Sequence, residues 1–190
     1  FFYISLLLFF SYHFGSLIAF GDPSWYQEDS LNLKDILYNE FHLPLYPLMI
    51  KFIRYLFGGY LPDEAIMLII NYFCFIASSI YLFRILERYI SSKQSFIFNY
   101  FFCLWPVVGL TYSVWPVTDA IVLSFFIIAI YNLITGNDIF AVFLFSMSLI
   151  THKAIWPFVF LVFIFFYILN GSVNWKKIII STLVLVFPLL

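Results

Sequence analysis

The sequence predicts an all-α protein, a polytopic transmembrane helix bundle with short interfacial amphipathic helices in its first outer loop. Three observations predict it. Of 190 residues, 64% are hydrophobic and 10% charged, with a mean hydropathy of +1.02, a composition far from that of a water-solvated domain. The apolar residues fall into runs close to the length that crosses a hydrocarbon core of about 30 Å as a helix. The charges cluster between those runs, and a formal net charge of −1 offers no basic field, so nucleic acid is excluded as a partner. Cys74 and Cys103 both lie inside apolar runs without metal-type spacing and read as small packed hydrophobes. The chain begins at Phe1 and its last run, from Ile178, is still apolar at Leu190. Residues 1–190 are therefore expected to be one membrane domain, the N-terminal part of a larger module.

Phe1 to Phe20 is the first expected span. The interval from Gly21 to Pro47 holds five of the ten acidic residues (Asp22, Glu28, Asp29, Asp35 and Glu40) and His42, one of the three histidines. Within it, Ser30 to Phe41 places Leu33, Ile36, Leu37 and Phe41 on one helical face, with Asp29 or Ser30 as the expected N-cap. His42-Leu43-Pro44 breaks that helix. From Leu45 an apolar stripe of Leu48, Met49, Phe52, Ile53 and Leu56 opposes Lys51 and Arg54, the pattern of a helix lying in the interface plane. Gly58-Gly59 and Pro62 end it and close the outer loop at 21–62.

Ala65 to Phe83 is the next span. Arg84, Glu87, Arg88 and Lys93 follow it, a basic cluster that tends to stay cytoplasmic and so puts the 21–62 loop on the outer face. Ser95 to Ser113 runs outward with a kink at Pro106, and Val117 to Ile134 returns inward to the turn Gly136-Asn137-Asp138. Ile139 to Leu169 would make one helix about 46 Å long, more than a single crossing needs. Thr151-His152-Lys153 interrupts it, so two spans are expected, the first only about twelve residues and about 18 Å long. The His152-Lys153 turn then lies below the outer surface in a protein-lined cavity. Trp105, Trp115 and Trp156 each precede proline and read as interfacial anchors at helix ends and kinks.

This topology collects Asp22, Glu28, Asp29, His42, Asp119, His152 and Lys153 on one side of the membrane, where ionisable groups at helix ends are costly and usually functional. Asp22, directly after the first span, has the chemistry of a general base for a substrate hydroxyl; its alternative is a helix-end aspartate in a turn before Pro23. Lys153 beside His152 can hold a phosphate as a point charge, or snorkel at a helix end. Asp119 can bind a metal or a sugar hydroxyl, or cap the helix starting near Ala120. His42 and Tyr46 can contact a sugar or pyrophosphate, or pack in a rigid proline-bounded turn; Glu28 and Asp29 read as solvated loop charges. The chain has no phosphate-binding glycine loop, nucleophile elbow, HExxH or Asp-x-Asp pair, which excludes a soluble-type nucleotide-sugar enzyme.

Taken in order, an acidic outer loop after a first span, then HLPLYPLMI from His42, YSVWPVTDA from Tyr112 and THK from Thr151, this pattern resembles the C-type membrane glycosyltransferases. It is most similar to the mannosyltransferases that add the second mannose of glycosylphosphatidylinositol anchors and their bacterial relatives. The resemblance covers most of the chain through short, degenerate motifs, the proline-bounded LYPL stretch being the most specific. It implies an enzyme of the plasma membrane that moves a sugar, mannose in the nearest relatives, from a polyprenyl-phosphate donor to a lipid or glycan acceptor hydroxyl on the periplasmic or extracellular face. It places Asp22 at the first-loop catalytic acid and Lys153, preceded by His152, near the donor phosphate, where arginine is more usual. Thr118-Asp119 matches a Thr-Glu or Thr-Asp pair. The resemblance allows a divalent cation as cofactor, although the acid is a lone Asp22 preceded by Gly21. Members of the family are about twice this length or more.

Two other classes compete. A transporter or lipid flippase would line the bilayer midplane with polar groups, where this chain carries chiefly Asn71, Ser78, Ser79, Asn99 and Ser124. A non-catalytic membrane assembly subunit would leave Asp22, Asp119 and Lys153 unconverged.

Overall fold

The computed structural model describes residues 22–32, 34, 44–104, 118–151 and 161. Among the described residues the protein is all-α, with six helices and no strand.

Helix α1 is Asp22–Asp29. Its acid at the first position complements the amino-terminal end of the helix dipole, and Pro23 sits in the first turn, where a missing N–H costs nothing. The sequence places the first loop helix later, with Asp29 or Ser30 as its N-cap. Ser30 instead closes α1: its N–H donates to the Tyr26 carbonyl at 3.1 Å and its hydroxyl to the Gln27 carbonyl at 2.6 Å. The hydroxyl is used inside the preceding helix, so it cannot cap a following one. Glu28 and Asp29 are accordingly helical and not loop residues, with Glu28 exposed. The remainder of the expected loop helix, 35–41, and the first expected span, 1–20, lie outside the described residues.

Helix α2, Leu45–Leu56, has the expected limits. It stops because Gly58 and Gly59 take φ of +57° and +76°, conformations that only glycine adopts without strain. Its buried face is Tyr46, Pro47 and Ile50, with Met49 and Ile53 beside them. Phe52 and Leu56, which the apolar stripe assigned to the same side, are exposed.

Helix α3, Asp63–Leu86, extends the expected span by two or three residues at each end. Pro62, extended at ψ 148°, separates it from α2, and Asp63 and Glu64 bring acid to its first turn. At 24 residues it is about 36 Å long, and it is the one helix among the described residues long and apolar enough to cross a membrane. After a short turn comes α4, Ser92–Leu104. Phe75 stacks on Phe102 at 6.2 Å, the Asn99 amide donates to the Ser79 hydroxyl at 2.8 Å and the Cys103 thiol to the same oxygen at 3.3 Å. Later residues of α4 meet earlier residues of α3, so the pair is antiparallel.

Helix α5, Asp119–Thr135, matches the span expected over 117–134. It ends in a left-handed Gly136, with Asn137 N–H returning to the Asn132 carbonyl and Gly136 N–H to the Leu133 carbonyl, the paired bonds of a glycine-terminated helix. Helix α6, Asp138–Leu149, starts at once and runs back against α5. Its 12 residues agree with the short first span expected before Thr151-His152-Lys153; Thr151 itself forms a buried turn.

Helix α5 also packs along α3, and the partners rise together: Ile70 shares a core with Ile121, Cys74 bonds to Ser124, and Tyr81 meets Tyr131 edge-on at 5.1 Å. These two helices are therefore parallel. Arg88 closes the far end, its guanidinium 5.5 Å from the Tyr131 ring centre and donating to the Ile134 carbonyl at 3.5 Å. A cation there complements the carboxyl end of α5. The consequence is a two-ended body in which α1, α2 and the starts of α3 and α5 share one end.

Candidate functional site

That shared end holds the candidate site, and two buried polar contacts build it. The Tyr46 hydroxyl donates to Asn71 Oδ1 at 3.1 Å, and the Tyr26 hydroxyl lies 3.5 Å from Thr118 Oγ1. The two tyrosine rings meet edge-on at 5.1 Å. All four side chains are buried. Tyr26 comes from α1, Tyr46 from α2, Asn71 from α3 and Thr118 from the residue before α5, so four elements distant in sequence are joined by hydroxyl and amide groups at one level. Around them pack Ile50, Ile66, Met67, Ile70 and Ile121.

A second, partly exposed polar cluster borders the first. Asp63 accepts from Arg54 Nε at 2.8 Å and from Gln27 Nε2 at 3.1 Å. Arg54 also donates to the Ser30 hydroxyl at 2.8 Å and to the Ser30 carbonyl at 3.3 Å. Lys51, one turn earlier on α2, donates to the Leu31 carbonyl at 3.0 Å. These charge-assisted bonds tie the carboxyl end of α1 to α2 and to the first residue of α3.

Each residue singled out from the sequence can now be placed. Asp22 opens α1, one turn before Tyr26. Asp119 is exposed and occupies the first position of α5, next to the buried Thr118. It is thus within the first turn and not the cap itself; Thr118 holds the cap position without a side-chain capping bond. Since Thr118 touches Tyr26, the starts of α1 and α5 belong to the same end of the body. Tyr46, expected at a sugar or pyrophosphate, is fully buried with its hydroxyl directed to Asn71. Burial pushes its phenol well above the ordinary tyrosine value of 10.0, with Cys74 and Tyr26 adding to the effect. Its place in this structure is in the packing of a rigid turn. His42, His152 and Lys153 lie outside the described residues.

Sequence reasoning missed Tyr26, Asn71, Thr118 and the Gln27–Ser30–Arg54–Asp63 cluster. One signal for the cluster was available, because Arg54 and Asp63 flank the Gly58-Gly59 turn and a tight turn brings its flanks together. Asn71, an amide within an apolar span, announces that some partner exists but not which. Among the described residues no group of three His, Cys, Asp or Glu could hold a metal ion.

What these features define is a class: an all-helical protein with a candidate membrane span and a polar layer at the end where that span begins. No protein-family model, no curated protein and no solved structure matches the chain.

Proposed function

We propose that this chain is the N-terminal part of a multi-pass membrane glycosyltransferase that moves a sugar, mannose by its sequence resemblance, from a polyprenyl-phosphate donor to an acceptor hydroxyl on the outer face of the membrane. The observation that carries the reading is the Tyr26–Thr118 contact. It brings the helix that Asp22 opens and the helix that Asp119 opens to one end of the body, the end where the candidate span also begins. A transferase of this kind needs its base and its sugar-binding groups on one side of the bilayer, and the contact supplies that juxtaposition for two of the six residues singled out. The parallel course of α3 and α5, with α4 and α6 antiparallel to them, is the arrangement that a polytopic bundle with alternating directions requires.

In the proposed reaction Asp22 accepts the proton of the acceptor hydroxyl as its oxygen attacks the anomeric carbon. The bond from that carbon to the donor phosphate breaks, and polyprenyl phosphate leaves with the bonding electron pair. Lys153, with His152 beside it, offsets the charge that grows on the leaving phosphate. His42 and Asp119 are assigned to hydroxyl or pyrophosphate contacts. Tyr46 is assigned to the buried support of α2. A divalent cation, if the family's chemistry uses one here, would assist the departing phosphate.

The test is Asp22→Asn in the full-length protein, checked for expression and membrane insertion and assayed for transfer from a polyprenyl-phosphate sugar. Loss of transfer by about 100-fold or more is expected for removal of a general base. Transfer at the unsubstituted rate would remove Asp22 from the role.

A further inference from the structure

Helix α2 has three distinct sides. At about 100° per residue, Tyr46, Ile50 and Ile53 fall on one side and pack into the core. Arg54 and Lys51 follow on the next sector, and both are held by protein groups, Arg54 by Asp63 and Ser30, Lys51 by the Leu31 carbonyl. The third sector carries Phe52, Tyr55 and Leu56, all large, apolar or aromatic, and all exposed. The turn that follows continues it with Phe57 and Tyr60, and the exposures of Tyr55 and Tyr60 reach 81% and 92%. The result is a helix that is apolar on two opposite sides, with its cations drawn off the outward one.

A surface of that kind in water would be costly, and large exposed apolar patches mark a partner. Chain continuity identifies it. Tyr60 stands three residues before Asp63, where the candidate span starts, and α3 itself exposes Ile69, Phe73 and Ile80 farther along. The medium that suits those side chains is hydrocarbon, so a segment a few residues above them sits at its edge. Phenylalanine and tyrosine are the side chains suited to that edge, where an apolar ring meets lipid and a hydroxyl meets water.

We infer that the exposed sector of α2, with Phe57 and Tyr60 on the Gly58-Gly59 turn, is a membrane-interface anchor that dips into the lipid surface beside the start of α3. The two glycines matter because their positive φ values fold the chain back sharply, placing the two aromatics at the tip of a wedge. Polar contacts on the neighbouring sector then fix the wedge to α1, so the depth of the lipid surface sets the height of the helix that Asp22 opens. The inference rests on α3 crossing the bilayer and is independent of the transferase chemistry.

The experiment uses the full chain in phosphatidylcholine vesicles with Cys74 and Cys103 replaced by serine. Single spin labels are introduced by Tyr55→Cys, Phe57→Cys and Tyr60→Cys, with Glu28→Cys as the water reference and Phe73→Cys as the hydrocarbon reference. Labels at 55, 57 and 60 are expected to favour oxygen over a water-soluble nickel relaxant several-fold more than the label at 28, at a depth of about 5–10 Å. Phe73, ten residues into α3 and about 15 Å along its axis, should lie deeper. Nickel access at 55, 57 and 60 equal to that at 28, with Phe73 still deep, overturns the anchor while sparing the span. Nickel access at 73 overturns the span and the anchor with it. Spin-spin broadening that vanishes on dilution with unlabelled protein assigns the sector to a second copy, and shielding from both relaxants assigns it to another segment of this chain; either result also overturns the anchor. Photo-crosslinking from p-azidophenylalanine at positions 57 and 60, with both cysteines retained, guards against misfolding of the labelled variants. A lipid adduct supports the anchor and a protein–protein adduct opposes it.

Discussion

The protein has two cores that are built differently. The core between α5 and α6 is Ala129, Leu133, Ala141, Val142, Leu144, Phe145 and Leu149, with Phe126 set edge-on to Phe145 at 5.6 Å. Its polar side chains turn inward on their own helix: Ser146 donates to the Val142 carbonyl, Ser148 to that of Phe145 and Thr151 to that of Met147. The core at the shared end is bound instead by polar contacts between elements, Tyr46 to Asn71, Tyr26 to Thr118 and Arg54 to Asp63. The first core is held by shape alone, with small Ala129 and Ala141 letting two helices approach closely. The second is held by specific atoms. Van der Waals packing tolerates small sliding, whereas a hydrogen bond between named groups fixes height and rotation, which is what a helix opening on a catalytic candidate needs.

Cutting into the first core should have the largest effect. Phe145→Ala removes a fully buried ring from between two helices. Truncating a buried phenylalanine costs about 3–5 kcal/mol in soluble proteins. In a bilayer or detergent, where the unfolded reference is itself apolar, the lower end, about 3 kcal/mol, is expected. Reversible unfolding in mixed detergent micelles measures it. A loss below about 1 kcal/mol would mean that the site collapses freely and that shape does not hold this core.

The second cut separates the two modes. Arg54→Ala removes the guanidinium that joins Asp63 to Ser30, leaving Gln27 as a donor to Asp63. The pair is about one fifth exposed on average, with side-chain exposures of 22% and 15%. Solvent therefore screens it partly, and about 1–2 kcal/mol is expected, below the value for a fully buried pair. The sharper readout is local. Proteolysis or hydrogen exchange in 22–32 should rise while 138–149 is unchanged, because only α1 loses its tether. Equal loosening of both regions would show that the two cores are one cooperative unit.

The difference between the cores also explains what the sequence made legible. The limits of α2, α3 and α5, the Gly136 turn and the short α6 follow from apolar run length and glycine, both of which act locally, and the structure reproduces them. The position of α1 was misread because its residues, DPSWYQED, carry no apolar stripe. What holds that helix is Tyr26 against Tyr46, Ser30 against Arg54 and Gln27 against Asp63, contacts across 20 to 36 residues that no periodicity encodes. Likewise the misassignment of Phe52 and Leu56 to the packed side of α2 came from reading all apolar residues as one stripe. A helix with protein on one flank and an apolar medium on the other has two stripes. For the candidate site, Asp22 and Asp119 stood out by type, but their shared end of the body became visible only through Thr118.

The smallest expected effect tests a single bond in the second core. Tyr46→Phe deletes the hydroxyl that donates to Asn71 while leaving the ring against Tyr26. The net loss should be about 1 kcal/mol, since both ring packing and most of the volume survive. The same residue carries a pH signature. Burial raises the folded-state phenol above its ordinary value of 10.0, so above that pH the unfolded chain releases a proton that the folded chain retains. The unfolded state then binds fewer protons, and stability must fall as pH rises. Below pH 10.0 both states are protonated and Tyr46 contributes no slope. In the alkaline range the unsubstituted protein should therefore lose stability more steeply than Tyr46→Phe, until the two curves converge or cross. Parallel curves through that range would show that the Tyr46 phenol is not shielded from water, and the second core would then have to be held by the Arg54–Asp63 pair and apolar packing.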